Sequence, residues 1–284
     1  MKKQSERKRI SPLRILTLVL SCSVFLFAAV QLFGYFQEEQ ASSQSLDDMA
    51  QQAVSVVTPI TQPPEPSAED AIEASTAPTL PAVSYEIPIR VDFALLREEG
   101  PDIVGWLYGA DTPINNPVVQ GDDNEYYVNR LPDGTTNANG SLFMDYRNLP
   151  DLSDRNTIVY GHNMKSGKMF GSLNKYRTQS YYDTHPVLWL LTPEQAYRID
   201  LIAGMVTPSD SDTYEVFSSD EEFRLYLEDA VARSTFVSNV DVADVDRIII
   251  LSTCSYEYAT ARYVLVGALT PAPYPPEAEV SDIQ

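Results

Sequence analysis

The stretch Ile248-Ile249-Ile250-Leu251-Ser252-Thr253-Cys254 is apolar at four successive positions, then small and polar, and ends on a thiol. A strand with one wet face alternates apolar and polar residues, whereas a strand covered on both faces reads apolar throughout. Residues 248–251 therefore fit a central strand buried on both sides. A side chain at the end of such a strand is held rigidly and can still open onto a surface groove. Arg262 starts the next apolar run, residues 262–269, after the loop 255–261. Two adjacent antiparallel strands joined by that loop bring Arg262 beside Cys254.

Working outward, runs of Val, Ile, Tyr and Leu bounded by Gly, Pro, Asn and Asp mark further strands. They fall at residues 103–108, 117–120, 141–146, 157–160, 187–191 and 196–206, with 247–252 and 262–269 closing the series. Thr192-Pro193-Glu194-Gln195 between two of them reads as a hairpin turn, with Pro presetting φ at its second position. One long helix precedes the Cys-bearing strand. Ser219 and Glu222 make a capping box, and Phe223, Tyr226, Leu227, Ala230 and Val231 recur at helical spacing. A shorter helix is expected over residues 93–99, stopped by Gly100-Pro101. Many strands with few helices point to a mainly β fold, a closed or nearly closed barrel.

The flanks differ from this unit. Lys2, Lys3, Arg7, Lys8, Arg9 and Arg14 make residues 1–14 a basic head. Residues 15–36 carry no charge, and as a helix would be about 33 Å long, enough for the roughly 30 Å core of a bilayer. The stretch is longer than the apolar region of a cleaved signal peptide, so an uncleaved single-pass anchor is expected. The positive-inside rule sets the head in the cytoplasm and the rest outside the cell. Residues 37–83 are rich in Ser, Gln, Ala, Glu, Thr and Pro and read as a disordered stalk. The folded domain is then expected at 84–270, with a disordered Pro-rich, acidic tail at 271–284. Beyond residue 36 there remain 14 basic residues against 39 acidic ones, a net charge of −25. Such a surface repels phosphate backbones and excludes a nucleic-acid partner.

The chain has two cysteines, Cys22 in the apolar segment and Cys254 far beyond it. No disulfide can form within the domain, so an extracellular Cys254 stands as a reactive thiol or a site of intermolecular pairing. His162 ends the strand Thr157-Ile158-Val159-Tyr160-Gly161-His162, where Gly161 lets the chain turn and present the ring. An imidazolium and a guanidinium near one thiol both favour its thiolate. Singly, each residue has an ordinary reading. Cys254 could be a small core hydrophobe, His162 a loop hydrogen-bonder and Arg262 an ion-pair partner. Together they sit at strand ends in a domain with a single thiol. His185, before Pro186, reads as structural or groove-lining, and Glu257 as a solvated loop charge.

These residues also carry a resemblance. Leu251-Ser252-Thr253-Cys254 resembles the Leu-x-Thr-Cys signature of sortases. Tyr160-Gly161-His162-Asn163-Met164, then Met169-Phe170-Gly171, Tyr181-Tyr182 and His185-Pro186, resemble the histidine region of class B sortases. Arg262-Tyr263-Val264-Leu265-Val266 is similar to their arginine-bearing strand, and the helix after Ser219 falls where that class carries its extra helix. Ile250 departs from the pattern, since many members have Thr there. The likeness spans residues 88–269 and implies an eight-stranded sortase-type β-barrel. It implies a cysteine transpeptidase in which Cys254 attacks after the Thr of a sorting signal and forms a thioester. His162 is then the general acid and base, and Arg262 the donor to the oxyanion or to substrate carbonyls. The implied partners are secreted proteins with a C-terminal signal of the Asn-Pro-x-Thr type and an amine acceptor, on a peptidoglycan precursor or a pilin lysine. Neither metal nor other cofactor is needed for this chemistry. An L,D-transpeptidase would place Gly before the Cys, where this chain has Thr253. A papain-like peptidase would place Cys before His and at a helix start. A non-catalytic surface protein on the same barrel would be expected to have lost one of the three residues.

Overall fold

The computed structural model describes residues 12–56, 87–208, 217–255 and 260–274. The basic head through residue 11, residues 57–86, Glu257 and the tail from residue 275 lie outside the described residues. The chain divides into two units, residues 1–45 and 46–284.

Within the first unit the described chain is helical, as part of α1 (Pro12–Ala53). Its apolar side chains face outward on every side, with Leu16 65% and Phe25 76% exposed. A helix apolar all round has no polar face to turn to water. It is the one helix among the described residues long and apolar enough to cross a membrane.

The second unit begins on the last turns of α1. Leu46, Met49 and Ala53 are buried, and Met49 and Ala53 share a core with Ile87, Ile89, Phe93 and Trp106. The chain then forms β1 (Val54–Val56), which pairs antiparallel with β2 (Ile89–Val91). Asp92 N–H donates to the Ala53 carbonyl at 2.8 Å. Residues 46–56, within the segment expected as a stalk, thus pack on the chain from residue 87 onward. The physical reason is spacing. Leu46, Met49 and Ala53 fall three and four residues apart on one helical face, a stripe that the average polarity of the segment conceals.

After β2 comes α2 (Phe93–Glu99), capped by Asp92 Oδ1, which accepts from Leu95 N–H at 3.0 Å. The strands that follow are β3 (Ile103–Tyr108), β4 (Asn115–Val119), β5 (Leu142–Met144) and β6 (Asn156–Tyr160). A 3-10 segment, Phe170–Arg177, and the short α3 (Gln179–Thr184) lead into the hairpin β7 (Val187–Leu191) and β8 (Ala196–Pro208). Next come α4 (Asp220–Ala232), β9 (Ile248–Cys254) and β10 (Ala261–Ala272). Eight strands close into a barrel in the order β10-β8-β7-β3-β4-β5-β6-β9. Closure leaves those eight strands no unpaired edge. Each of the eight strands expected from composition is one of these eight. The pair β1–β2 was not expected, because three-residue strands carry too little pattern to show.

The apolar run that ends in Cys254 is covered on both faces. Ile249 and Leu251 join the barrel interior with Leu142, Val159, Tyr263 and Leu265. Ile248 and Ile250 face the other way, against Phe223, Leu227 and Ala230 of α4. Ser219 Oγ caps that helix by accepting from Glu222 N–H at 3.2 Å. The reciprocal arm is displaced by one residue, since Glu222 Oε2 accepts from Ser218 N–H and Oγ rather than from Ser219.

Candidate active site

β9 sits between two partners. On one side β10 runs antiparallel to it, and the register sets Arg262 opposite Cys254. Directly opposed residues bring their Cβ atoms within about 5 Å, and here Arg262 Nη1 donates to Cys254 Sγ at 2.7 Å. On the other side β6 runs parallel, with Tyr160 opposite Ser252. The paired register ends there, and His162 follows two residues beyond the end of β6. The order across the sheet is therefore histidine strand, cysteine strand, arginine strand, with all three residues at one end of the barrel.

The chain leaves β6 at Gly161. Its N–H still donates to the Ser252 carbonyl at 3.1 Å. A Cβ at this position would lie 2.4 Å from Leu142 Cδ2 and 2.8 Å from Phe170 Cδ2, so any larger residue would force these side chains to shift. Thr253 Oγ1 donates to the Gly161 carbonyl at 2.7 Å and fastens the departing strand to the one that carries the thiol. His162 is half-exposed. Its Nε2 lies 2.6 Å from the Val128 carbonyl. A carbonyl only accepts, so Nε2 carries the proton in this contact and the ring is oriented by it.

Asp145, one residue past β5, is fully buried and supports this corner. Its carboxylate accepts from Arg147 Nε and Nη2 at 2.9 and 2.8 Å, from Asn124 Nδ2 at 2.9 Å and from Tyr160 Oη at 3.0 Å. Burial alone would raise the Asp145 carboxyl, but these donors outweigh it and hold the group below the usual carboxylate range. Tyr160 is thereby pinned two residues before His162. Tyr263, next to Arg262, is buried under the Arg177 guanidinium, 4.5 Å from its ring centroid. Burial pushes its phenol up to about 12, so the ring stays neutral in any ordinary assay.

His185 is engaged locally. Its Nδ1 lies 3.0 Å from the Tyr181 carbonyl and 2.8 Å from Thr184 Oγ1, and its ring stacks on Tyr181 at 4.2 Å. These contacts fit the structural reading of its position before Pro186. No group of His, Cys, Asp and Glu among the described residues is arranged to hold a metal ion. Sequence reasoning missed Asn163, whose Nδ2 donates to the Cys254 carbonyl at 2.8 Å. The only available signal was its place directly after His162, which says nothing about where its side chain points.

Comparisons with known proteins identify the family of the chain. A family model described as Sortase domain matches residues 110–270. Over 184 residues the chain is 38% identical to Sortase B of Listeria monocytogenes and 33% identical to Sortase B of Staphylococcus aureus. Each match covers 64% of this chain and 75% of the relative. The crystal structure of Staphylococcus aureus Sortase B superposes with a TM-score of 0.60 at 31% identity, covering 64% of this chain and 87% of that one.

Proposed function

We propose, for a chain that belongs to the sortase family and within it to class B, a group of cysteine transpeptidases, that Cys254 is the nucleophile, His162 the acid and base, and Arg262 the oxyanion or substrate donor. The observation that carries the assignment is the placement of these three residues at or just beyond the ends of adjoining strands. Cys254 ends the middle strand, with the Arg262 guanidinium 2.7 Å from its sulfur, and His162 follows two residues after β6, the strand on its other side.

The chemistry follows from that placement. The Cys254 sulfur, held beside a guanidinium, attacks the carbonyl carbon of the Thr in a sorting signal. The Arg262 fork faces the negative charge that develops on the carbonyl oxygen, or the neighbouring carbonyls of the bound peptide. As the C–N bond breaks, His162 gives its proton to the departing amine, and the acyl group remains on Cys254 as a thioester. An incoming amine then loses a proton to His162 and displaces the thiolate, so the new amide forms and the enzyme is restored. With Nε2 donating to the Val128 carbonyl, Nδ1 is the nitrogen that exchanges protons with the reacting amines.

We read the signal as the Asn-Pro-x-Thr type and the acceptor as an amine of a peptidoglycan precursor or a pilin lysine, because class B membership implies them. The exposed apolar helix supports a single-pass anchor, and by the positive-inside rule the basic residues before it support a cytoplasmic amino terminus. The catalytic domain then works outside the cell.

The test is peptide cleavage with single substitutions. Cys254→Ala abolishes cleavage while thermal unfolding is unchanged. His162→Ala removes activity, whereas His185→Ala only weakens it. Cleavage retained by the Cys254→Ala protein would end the assignment.

A further inference from the structure

The parallel ladder between β6 and β9 stops one rung short of the thiol. Gly161 N–H donates to the Ser252 carbonyl. Along a strand, groups on one side recur every second residue, so the next rung would run from Asn163 N–H to the Cys254 carbonyl. The backbone has by then left the sheet, with His162 carbonyl accepting from Phe170 N–H at 3.1 Å and Asn163 bridged to Met169. The missing rung is supplied by the same residue in another way. Asn163 Nδ2 donates to the Cys254 carbonyl at 2.8 Å.

That amide is itself held. Asn174 Nδ2 donates to Asn163 Oδ1 at 3.0 Å, and Arg177 Nε donates to Asn174 Oδ1 at 3.2 Å. Arg177 Nη2 then reaches back to Ser255 Oγ at 2.9 Å, beside the thiol residue. The direction of the relay is forced from both ends. A guanidinium only donates and a carbonyl only accepts, so both asparagines are oriented without ambiguity. Each link also strengthens the next by polarising it, with the cation at the far end.

We propose that Asn163, oriented by Asn174 and Arg177, is a positioning residue of this transpeptidase. Its side chain replaces the last main-chain rung. The backbone can then leave the sheet and carry His162 over the site, while Cys254 stays fixed in register with Arg262. An ordinary rung at this point would keep His162 in the plane of the sheet. No clamp at all would leave the Cys254 peptide free to move at the end of its strand. The proposal rests on Cys254 as nucleophile.

The decisive variant is Asn174→Asp in the full chain in detergent micelles. The carboxylate still accepts from Arg177 and so keeps that contact. It has no donor for Asn163, and whichever way Asn163 turns, one of its ends then meets an acceptor with an acceptor. The relay is severed without a cavity. The expected result is a fall in kcat of roughly ten- to a hundredfold, the scale of a small misplacement of reacting groups, with KM and the thermal midpoint near wild type. Asn163→Ala should give the same split. Alkylation of Cys254 by iodoacetamide, followed on its peptide by mass spectrometry, should slow severalfold in both, because the sulfur no longer sits squarely against Arg262. That readout needs no sorting peptide. Slowed alkylation in an enzyme whose parent cleaves no such peptide would sink the sorting assignment and leave the relay standing. Wild-type kcat and alkylation in Asn174→Asp would overturn the relay, as would losses that only track a lowered thermal midpoint.

Discussion

At the scale of single residues, the Arg262 guanidinium is asked to do something an ammonium cannot. It offers planar, forked donors, and one of them already points at Cys254 Sγ. Arg262→Lys should therefore behave like Arg262→Ala. Losing one oxyanion donor costs roughly 10²–10³ in turnover in other acyl-transfer enzymes. If Arg262 serves the oxyanion, both variants lower kcat and leave KM nearly unchanged. If it grips the peptide, KM rises instead. A destabilised Arg262→Ala protein with normal kinetic constants would remove the residue from the site. Steady-state kinetics with a sorting-signal peptide, run beside thermal unfolding, separates the three cases.

At the scale of elements, the corner where β5 meets β6 depends on Asp145, which ties Arg147, Asn124 and Tyr160 together. Removing the charge leaves these donors facing a neutral amide in a buried place, so Asp145→Asn should cost about 3 kcal/mol. The effect has a definite pH dependence. Folding holds this carboxyl below its ordinary range, so the folded state takes up its proton less readily than the unfolded chain. The stability it contributes is complete above the unfolded value of about pH 4 and is lost as the pH falls through the lower folded value. Denaturant unfolding from pH 7 down to pH 3 should show a steeper acid decline for the parent than for Asp145→Asn. Parallel curves would show that the carboxylate is not anchoring this corner. Because Tyr160 stands two residues before His162, the variant should also lower kcat.

At the scale of the whole molecule, the folded unit reaches further toward the amino terminus than its composition indicates. Leu46 and Met49 are 6% and 4% exposed, and the β1–β2 pair follows them. Burying side chains of that size contributes about 1.5–3 kcal/mol each. A chain shortened to start at residue 84 should thus be less stable than one starting at residue 46 by about 4 kcal/mol, or roughly 10 °C in thermal midpoint. Equal midpoints would return residues 46–56 to the stalk. The loss should fall on stability before it falls on kcat, since Met49 and Ala53 pack around Trp106 and Phe93 rather than at the end of β9. The net charge of −25 beyond residue 36 belongs to this scale too. It keeps polyanions away from the molecule and leaves the chemistry of the site to local groups.

What the sequence determined by itself was everything carried by pattern within one segment. Continuous apolar runs marked the barrel strands, Ser219 and the 3.6-residue spacing after it marked α4, and 22 uncharged residues marked the apolar helix. The three residues proposed for the site were singled out for the same reason, because each stands at or near the end of a strand and the domain has one thiol. Tertiary structure alone decided what depends on two segments meeting. The register that opposes Arg262 to Cys254 is a property of the β9–β10 ladder. The burial of Met49 and Ala53 needs a partner that arrives some forty residues later in the chain. Asn163 is the clearest case. Its role exists only because β6 stops one rung before the thiol, and a side chain can complete a ladder only where the fold has left one incomplete.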